Sequence, residues 1–596
     1  MKMKRFSFES LIVAVTVTAV SFTTLSFASP STEHGGQAAF AGPAAEISMS
    51  SLPQLTAAEI AMQPATSRPL DGFTDAQRKE RQRQLIQRTN GHSMGNAAPA
   101  GGGGAAGIGE LEAAFFGTGE SCCTPSDMAL AVGPTYVLQV VNNTVRVTNK
   151  AGAVAAGFPK TTQSFFGLPS TEYITDPRAF YDWANGRYVV IELDETCHRC
   201  AGNVGYLLLA VSQTNNPAGA WFNYGRVIQI GAVDECPDYP TLGNDNNNWF
   251  GETVGEEAAV ANNGGIYVGI NQFSADCNGG FIQNYLFLLP KAQIYKGLGF
   301  GYWFEFGLSD PRNGALLDTL QPHNVFAANN KPPAIYVVAS DNIRFSNGQC
   351  FSGCNGLVVW AVTNPFGFNH GGPSPEFSVT TTGTRFNYFL PTSADEPGCN
   401  GCIDTLDTRI SGSVQYNAGE IFGALETQDP TFGTGENSPI WFELHPVMGG
   451  SNSRCTGSYT NACADIAAVE ERNEDCFVCG GWGGHGSAYF ATLQPDNENN
   501  VLMTYTFSSQ NAGAYPGPVW TSRRVSQGDN TMNGIGIEFF GGGQYLQFRW
   551  GDYSGTAPDL TNAKYPTMWF SGMQANSAGN WNTIIGEGGY DDPREF

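Results

Sequence analysis

Short apolar runs alternating with Asn-, Pro- and Gly-bearing turns fill this chain from about Ser121 onward, and no helical stripe of any length interrupts them. The runs include 135–152, 186–193, 205–212, 265–273, 334–340, 356–363, 420–426 and 501–509. Each is rich in Val, Ile, Tyr and Phe and bounded by turn residues, the composition of strands packed in a sheet. The expected class is all-β. Several runs lead into one turn chemistry: Asn215-Asn216-Pro217, Asn364-Pro365, Gln428-Asp429-Pro430, and Asn576-Ser577-Ala578-Gly579 ahead of Trp581. Pro presets its dihedral, Asn or Asp bonds back to the backbone, and Gly takes a positive φ. Pro365 and Pro430 are 65 residues apart, and Pro217 and Pro365 are 148 apart. One turn returning after a strand at such spacing marks repeated sheets, and the expectation is a β-propeller of about seven blades over 119–590. A pair of β-sandwiches or a β-helix is the alternative. A β-helix repeats at a shorter period, and sandwiches seldom carry one turn so far apart.

The N-terminus reads as an address. Lys2, Lys4 and Arg5 precede an apolar run from Leu11 to Phe27, and Ser26-Phe27-Ala28 offers a small-x-small cleavage site. Residues 1–28 are therefore expected to be a signal peptide, with the mature chain secreted into an extracellular or periplasmic space. No later run reaches the roughly 18 apolar residues of a membrane span. Residues 29–118 are Ala-, Gly-, Pro- and Ser-rich and are expected to be a disordered leader, because they bury too little apolar area to offset their ordering entropy. Within it, 74–88 carries a capping Thr74 and strong helix formers, so a short basic helix is expected there, solvated, or else a pro-segment or a strap lying on the acidic body.

Formal charge is -24, from 30 Lys and Arg against 54 Asp and Glu. Such a surface repels nucleic acid and acidic lipid and suits cations, neutral glycans or plain solubility. The partner expected is an extracellular glycan, met by a monomer. In an exported chain 14 cysteines point to disulfides. Close spacing pairs Cys197 with Cys200, Cys350 with Cys354, Cys399 with Cys402, Cys455 with Cys463 and Cys476 with Cys479, which leaves Cys236 for Cys277, with structural zinc as the alternative use of such spacings. The adjacent Cys122 and Cys123 either close a ring or reach separate partners.

The most suggestive polar residues are Asp176, Arg178 and Asp182; Asp407 and Arg409; and Arg549, Asp552 and Tyr553. In a propeller, turn residues from different blades converge on one mouth. Three arginines there would clamp an anionic sugar, while a carboxylate and a tyrosine serve as acid, base or nucleophile, a layout that resembles sialidases and some propeller lyases. The competing use of these residues is pairing between blades. His323 and His485 lie in turns and are candidate general bases. Trp221, Trp482 and Trp550 lie at turns where an indole could stack on sugar, with inter-blade packing as the rival. Asp245, in the run 244–248, offers oxygens to a structural calcium but lacks the glycine and terminal glutamate of an EF-hand loop. No cofactor is required. H-E-x-x-H is absent, and the one G-x-S-x-G, at 91–95, has no strand before it. The function expected is glycoside hydrolysis or lyase cleavage of polysaccharide at the axial mouth. The alternative is a non-catalytic glycan- or protein-binding surface module.

A series of motifs in fixed order resembles a group of exported bacterial β-propeller-like proteins. It comprises Ala131-Val132-Gly133-Pro134, Asp176-Pro177 with Tyr181-Asp182 and Arg187-Tyr188, Ala210-Val211-Ser212, Asp238-Tyr239-Pro240-Thr241, Leu406-Asp407-Thr408-Arg409, and Arg549-Trp550-Gly551-Asp552-Tyr553-Ser554. The resemblance runs from about Ser121 to Ile585 and implies export and a propeller fold, but no activity. It weakens after Ser554, where Ala557-Pro558-Asp559 and Pro566-Thr567-Met568-Trp569 replace the group's Asp-Pro and Cys-Thr-Phe-Trp.

Overall fold

Seven sheets of four or five antiparallel strands stand around one axis among the described residues. The structure, a computed structural model, describes residues 34–54, 66–67, 110–120, 123–195, 204–247, 249, 264–274, 280–341, 354–428, 435–451, 464–476, 486–526, 532, 537–561 and 567–589. The innermost strands of blades 1 to 7 are Ala129–Val132, Ile174–Asp182, Cys236–Asn244, Gln321–Pro322, Gln415–Asn417, Ser487–Pro495 and Gly555–Asp559. Each neighbours the next. Isolated bridges from Asn324 to Asn244 and to Gln415 join blades 3, 4 and 5, and blade 7 returns to blade 1.

The packing shows why the chain closes. A separate apolar core fills each space between adjacent blades: Leu193 with Leu242 between 2 and 3, Tyr267 with Val337 between 3 and 4, Trp520 with Phe570 between 6 and 7, and Val132 with Trp569 between 7 and 1. Blade strands thus have both faces covered, so Leu207, Leu208, Leu209, Ala210 and Val211 are all buried in succession. A continuous apolar run of this kind reads as a strand rather than a helix because of its length and flanking turns. At the far end of several inner strands, Asx turns hand the chain back. Asp182 Oδ1 accepts from the Ala184 and Asn185 amides, both at 3.1 Å, and Asp496 Oδ1 accepts from those of Glu498 at 2.8 Å and Asn500 at 2.9 Å.

Blade 7 is made from both ends of the sequence. Glu110–Gly119 pairs antiparallel with Trp581–Gly589 and is the outer strand of that blade. The leader is also ordered in part, which corrects the expectation of disorder over 29–118. Gly35–Ala41 adds to the outer strand Phe300–Phe306 of blade 3, and Ala45–Ser48 adds to the outer strand Ala220–Ile230 of blade 2. His34 accepts or donates at 2.8 Å with Glu305 and meets Trp360 of blade 4 edge-on at 5.3 Å, while Gln54 donates to the Phe158 carbonyl of blade 1 at 2.7 Å. This strap crosses blades 4, 3, 2 and 1, against chain order. Composition misses it because strand addition spends backbone donors and acceptors, which Ala and Gly possess like any other residue. The expected signal peptide and the basic helix expected at 74–88 fall outside the described residues. No helix among the described residues is long and apolar enough to cross a membrane.

Candidate functional site

The inner strands of blades 1, 2, 3, 4 and 6 share a kink. Asp127, Asp176, Tyr239, Thr319 and Phe490 have φ of 44°, 58°, 52°, 51° and 54°. Each lies two residues before Ala129, Arg178, Thr241, Gln321 and Thr492, where ladder pairing begins or resumes. Left-handed backbone is unfavourable for side chains of this kind and persists where the surroundings over-determine it. Here those surroundings are the hub, a cluster containing Tyr239, Leu406, Phe490, Trp550 and Tyr553.

The three nominated arginines meet at this hub. Arg178 Nε donates to the Pro240 carbonyl at 2.8 Å and Nη1 to that of Ser411 at 3.3 Å, and its guanidinium lies 3.3 Å from the Tyr553 ring centre. Arg409 grips Asp407 bidentately, Nε and Nη2 each at 2.8 Å, and lies 4.3 Å from the Tyr239 ring centre. Arg549 Nη2 donates to both oxygens of Asp552 at 2.6 Å. The tyrosines close the set across blades: Tyr239 donates to the Asp552 carbonyl and Tyr553 to the Pro177 carbonyl, both at 2.9 Å. Asp176 accepts from the Tyr239 amide at 3.1 Å. Relative exposure is 5% for Arg178, 1% for Arg409, 3% for Arg549 and 1% for Asp176 and Asp552, so the cluster is an interior plug.

Trp550 is fully buried too. Its Nε1 donates to Thr506 Oγ1 at 3.2 Å, and Trp221 is buried with Nε1 on the Pro217 carbonyl at 2.9 Å. Both indoles are therefore packing elements rather than the exposed platforms expected from their turns. His323 is a core residue, not a mobile turn base: its Nδ1 accepts from the Tyr336 amide at 3.0 Å, and burial lowers its pKa to about 3, which keeps it neutral. His485 and Trp482 lie outside the described residues. Asp245 does not fit a calcium ligand. Its carboxylate accepts from Tyr267 Oη at 2.9 Å, Trp249 Nε1 at 3.1 Å, the Gly265 amide at 3.1 Å and the Asn247 amide at 3.3 Å, leaving it saturated by protein donors.

Several groups escaped sequence reading. Asp127, Glu192 and Glu426 are buried carboxyls near the hub, each held well above the usual range by burial. The four residues Ser126-Asp127-Met128-Ala129 stand where Thr175-Asp176-Pro177-Arg178 and Asp238-Tyr239-Pro240-Thr241 stand in their blades, so aligning the kinks would have found Asp127. Burial raises Asp552 to about 6 despite Arg549 beside it, and Glu396, which accepts from the Tyr545 amide at 3.0 Å, to about 7. At the rim, Arg312 Nη2 donates to Asp310 at 2.7 Å and to Asp341 at 2.5 Å, and burial raises Asp341 to about 6.

These raised carboxyls set a pH dependence. The folded state holds protons that the unfolded chain releases, so their stabilisation is full below the unfolded values of 4.5 for Glu396 and 3.8 for Asp552 and is lost as pH rises through about 6 to 7. Thermal midpoints should fall between about pH 5 and pH 8. Glu396→Gln, uncharged but still an acceptor for the Tyr545 amide, should flatten the upper part of that fall. A midpoint that climbs over this range would contradict the assignment.

Cystines crown the hub end of the ring. Cys399 and Cys402 are bonded to each other, as their spacing predicts, in the hairpin Ala394–Glu396 and Cys399–Ile403 ahead of blade 5. Cys123, Cys236 and Cys354 are also disulfide-bonded. Cys236 opens the first strand of its blade and Cys354 the third strand of another, and in an antiparallel sheet these starts share one end. Cys476 ends the outer strand Ala464–Cys476, while Cys197, Cys200, Cys277, Cys350, Cys455, Cys463 and Cys479 lie outside the described residues.

No family model and no curated protein matches the chain. Among solved structures, a Dyadobacter fermentans protein of unknown function is 11% identical with a TM-score of 0.29, covering 70% of this chain and 96% of its own. The GH43_1 enzyme from Xanthomonas citri complexed with xylose is 11% identical with a TM-score of 0.27, covering 77% and 96%. The subtype N11 neuraminidase-like protein of a flat-faced bat virus is 12% identical with a TM-score of 0.29, covering 70% and 88%. Likenesses this distant carry no argument about the chemistry.

Proposed function

We propose that the protein is an exported propeller, akin to the exported bacterial group its motifs resemble, that binds extracellular glycan at the hub end of the ring and holds it without cleaving it. The observation supporting this reading is that the arginines and carboxylates nominated for catalysis are buried in the plug, held by one another, by backbone groups and by tyrosine rings. Glycoside hydrolysis by the usual route needs a carboxylic acid open to substrate with a partner roughly 5 to 10 Å away, and the described residues of the plug offer no such open acid. The hub end instead carries polar side chains that keep exposed surface, in contrast to those of the plug. Gln547 Nε2 bridges Glu120 at 2.7 Å and Asn580 at 3.1 Å, and Arg312 lies beside Asp341. Among the described residues, the exposed large apolar side chains there, Val233 and Leu546, precede different blades, whereas a protein-docking face is more contiguous. A strongly acidic chain also favours neutral over anionic polymers.

A hydrolytic reading rests on one feature. Asp341 is a rim acid raised to about 6 beside Arg312, and so could donate a proton. Incubating the secreted protein with plant, algal and bacterial polysaccharides, scored for retention, reducing ends and unsaturated uronates, separates the two. Retention without product supports binding. Product that disappears in Asp341→Asn supports hydrolysis instead, and neither retention nor product would remove the glycan reading.

A further inference from the structure

The loop Asn244-Asp245-Asn246 is built as an oxygen cage, and a cation belonging to the chain itself fills it. Lys291 opens the short helix Lys291–Ile294 that follows the third strand of blade 3, and it is fully buried. Its ammonium donates to Asp182 Oδ2 at 2.6 Å, the Asp245 carbonyl at 2.7 Å, Asn244 Oδ1 at 2.9 Å and Asn246 Oδ1 at 3.2 Å. The walls are held in place from outside. Tyr295 Oη at 2.7 Å and Asn185 Nδ2 at 2.9 Å donate to the same Asp182 oxygen, and Lys331 donates to the Asn246 carbonyl. Asp182 ends the inner strand of blade 2 and Asn244 that of blade 3, so the cage ties two blades together at the end of the ring opposite the hub.

We propose that this cage is a monovalent-cation site whose resident ion is the Lys291 ammonium, and that an ammonium or potassium ion would take its place if the side chain were removed. The distances, all measured to the Lys291 nitrogen, set the size of the space an ion would have to fill. Oxygens at 2.6 to 3.2 Å suit an ammonium, whereas calcium draws its ligands to about 2.3–2.6 Å and magnesium to about 2.0–2.1 Å. Charge agrees with size. Only one of the four acceptors is a carboxylate oxygen, and neutral carbonyl-type oxygens can replace the hydration shell of a large monovalent ion. With Lys291 intact, Asp182 and Asp245 are balanced by Lys291 and Lys331; without it, a carboxylate is left uncompensated beside an ammonium-sized hole.

Lys291→Ala, melted in ammonium, potassium, tetramethylammonium and magnesium chlorides at equal ionic strength, tests this. The expected result is a midpoint well below wild type that rises by several degrees, saturably, with ammonium or potassium, as mass action on a folded-state site requires. Tetramethylammonium, too large for the cage, should give no such rise, and wild type should respond to none of the four. Lys291→Met, which fills the space without charge, should be destabilised but not rescued. A Lys291→Ala midpoint that follows ionic strength alone, equally in all four salts, would overturn the proposal. If that variant does not fold, nitrogen-15 spectra of lysine ammonium groups in the wild type decide: a slowly exchanging Lys291 signal supports the cage, and exchange as fast as that of exposed lysines refutes it.

Discussion

Arg409→Met is expected to lower the unfolding free energy by about 3–5 kcal/mol, the cost of leaving one partner of a buried ion pair behind. Asp407 would lose two donors at 2.8 Å in an interior where water cannot replace them, and Tyr239 would lose the guanidinium 4.3 Å from its ring centre. Against a net domain stability of about 5–15 kcal/mol this is a large fraction. The double variant Asp407→Leu with Arg409→Met should cost clearly less than the sum of the two single changes, because no lone charge remains in the plug. Denaturant titration measures both, and glycan retention is assayed on the same samples below their transitions. A ligand-clamping arginine behaves in the opposite way: its loss spares stability and abolishes retention. A cost under about 1 kcal/mol for Arg409→Met, coupled to lost retention, would show that the hub serves a ligand and that the plug reading fails.

The wheel of sheets was legible because its physics is local. A strand buried on both faces, as Leu207 to Val211 is, reads as a continuous apolar run, and several hand-over turns carry an Asx side chain, as at Asp182 and Asp496. The convergence of Arg178, Arg409 and Arg549 was legible for the same reason, since each sits in a motif within or just ahead of an inner strand. Their burial was not. It depends on Tyr239 and Tyr553 lying against Arg178 from chain positions far away, and no local pattern records that. Asp245 shows the same limit from another side. The run 244–248 has the composition of a cation loop, and its first three residues do hold a cation, but the cation is a lysine 47 residues beyond Asn244. The leader was misread because Gly35–Ala41 and Ala45–Ser48 are ordered by ladder hydrogen bonds, to which side-chain composition is nearly blind.

A chain begun at residue 120 is expected to lose cooperative folding, whereas one begun at residue 105 should keep it. The difference is the strand Glu110–Gly119, which meets Trp581–Gly589 at seven positions from Gly119 with Asn582 to Glu110 with Gly589. At about 0.5–1.5 kcal/mol for each ladder hydrogen bond, that strand alone is worth roughly 5 kcal/mol, comparable to the stability of a whole domain. Side chains add to it. Phe115 meets Trp569 edge-on at 6.1 Å, and Gln139 of blade 1 accepts from the Thr118 amide at 2.9 Å while donating to Ser571 at 2.7 Å and Thr583 at 3.0 Å. Loss of the strand also bares an apolar sheet edge, which invites aggregation. The strap at 34–54, missing from both shortened chains, contributes less, because Ala41 and Met49 are its buried side chains. A peptide spanning 108–120, added in trans to the chain begun at 120, should restore a cooperative melt by strand addition. Equal midpoints for the two shortened chains would mean that the ring closes without this strand. The geometry argues otherwise, because among the described residues every other strand of blade 7 comes from 555–589 and this one alone brings 110–119 into that sheet.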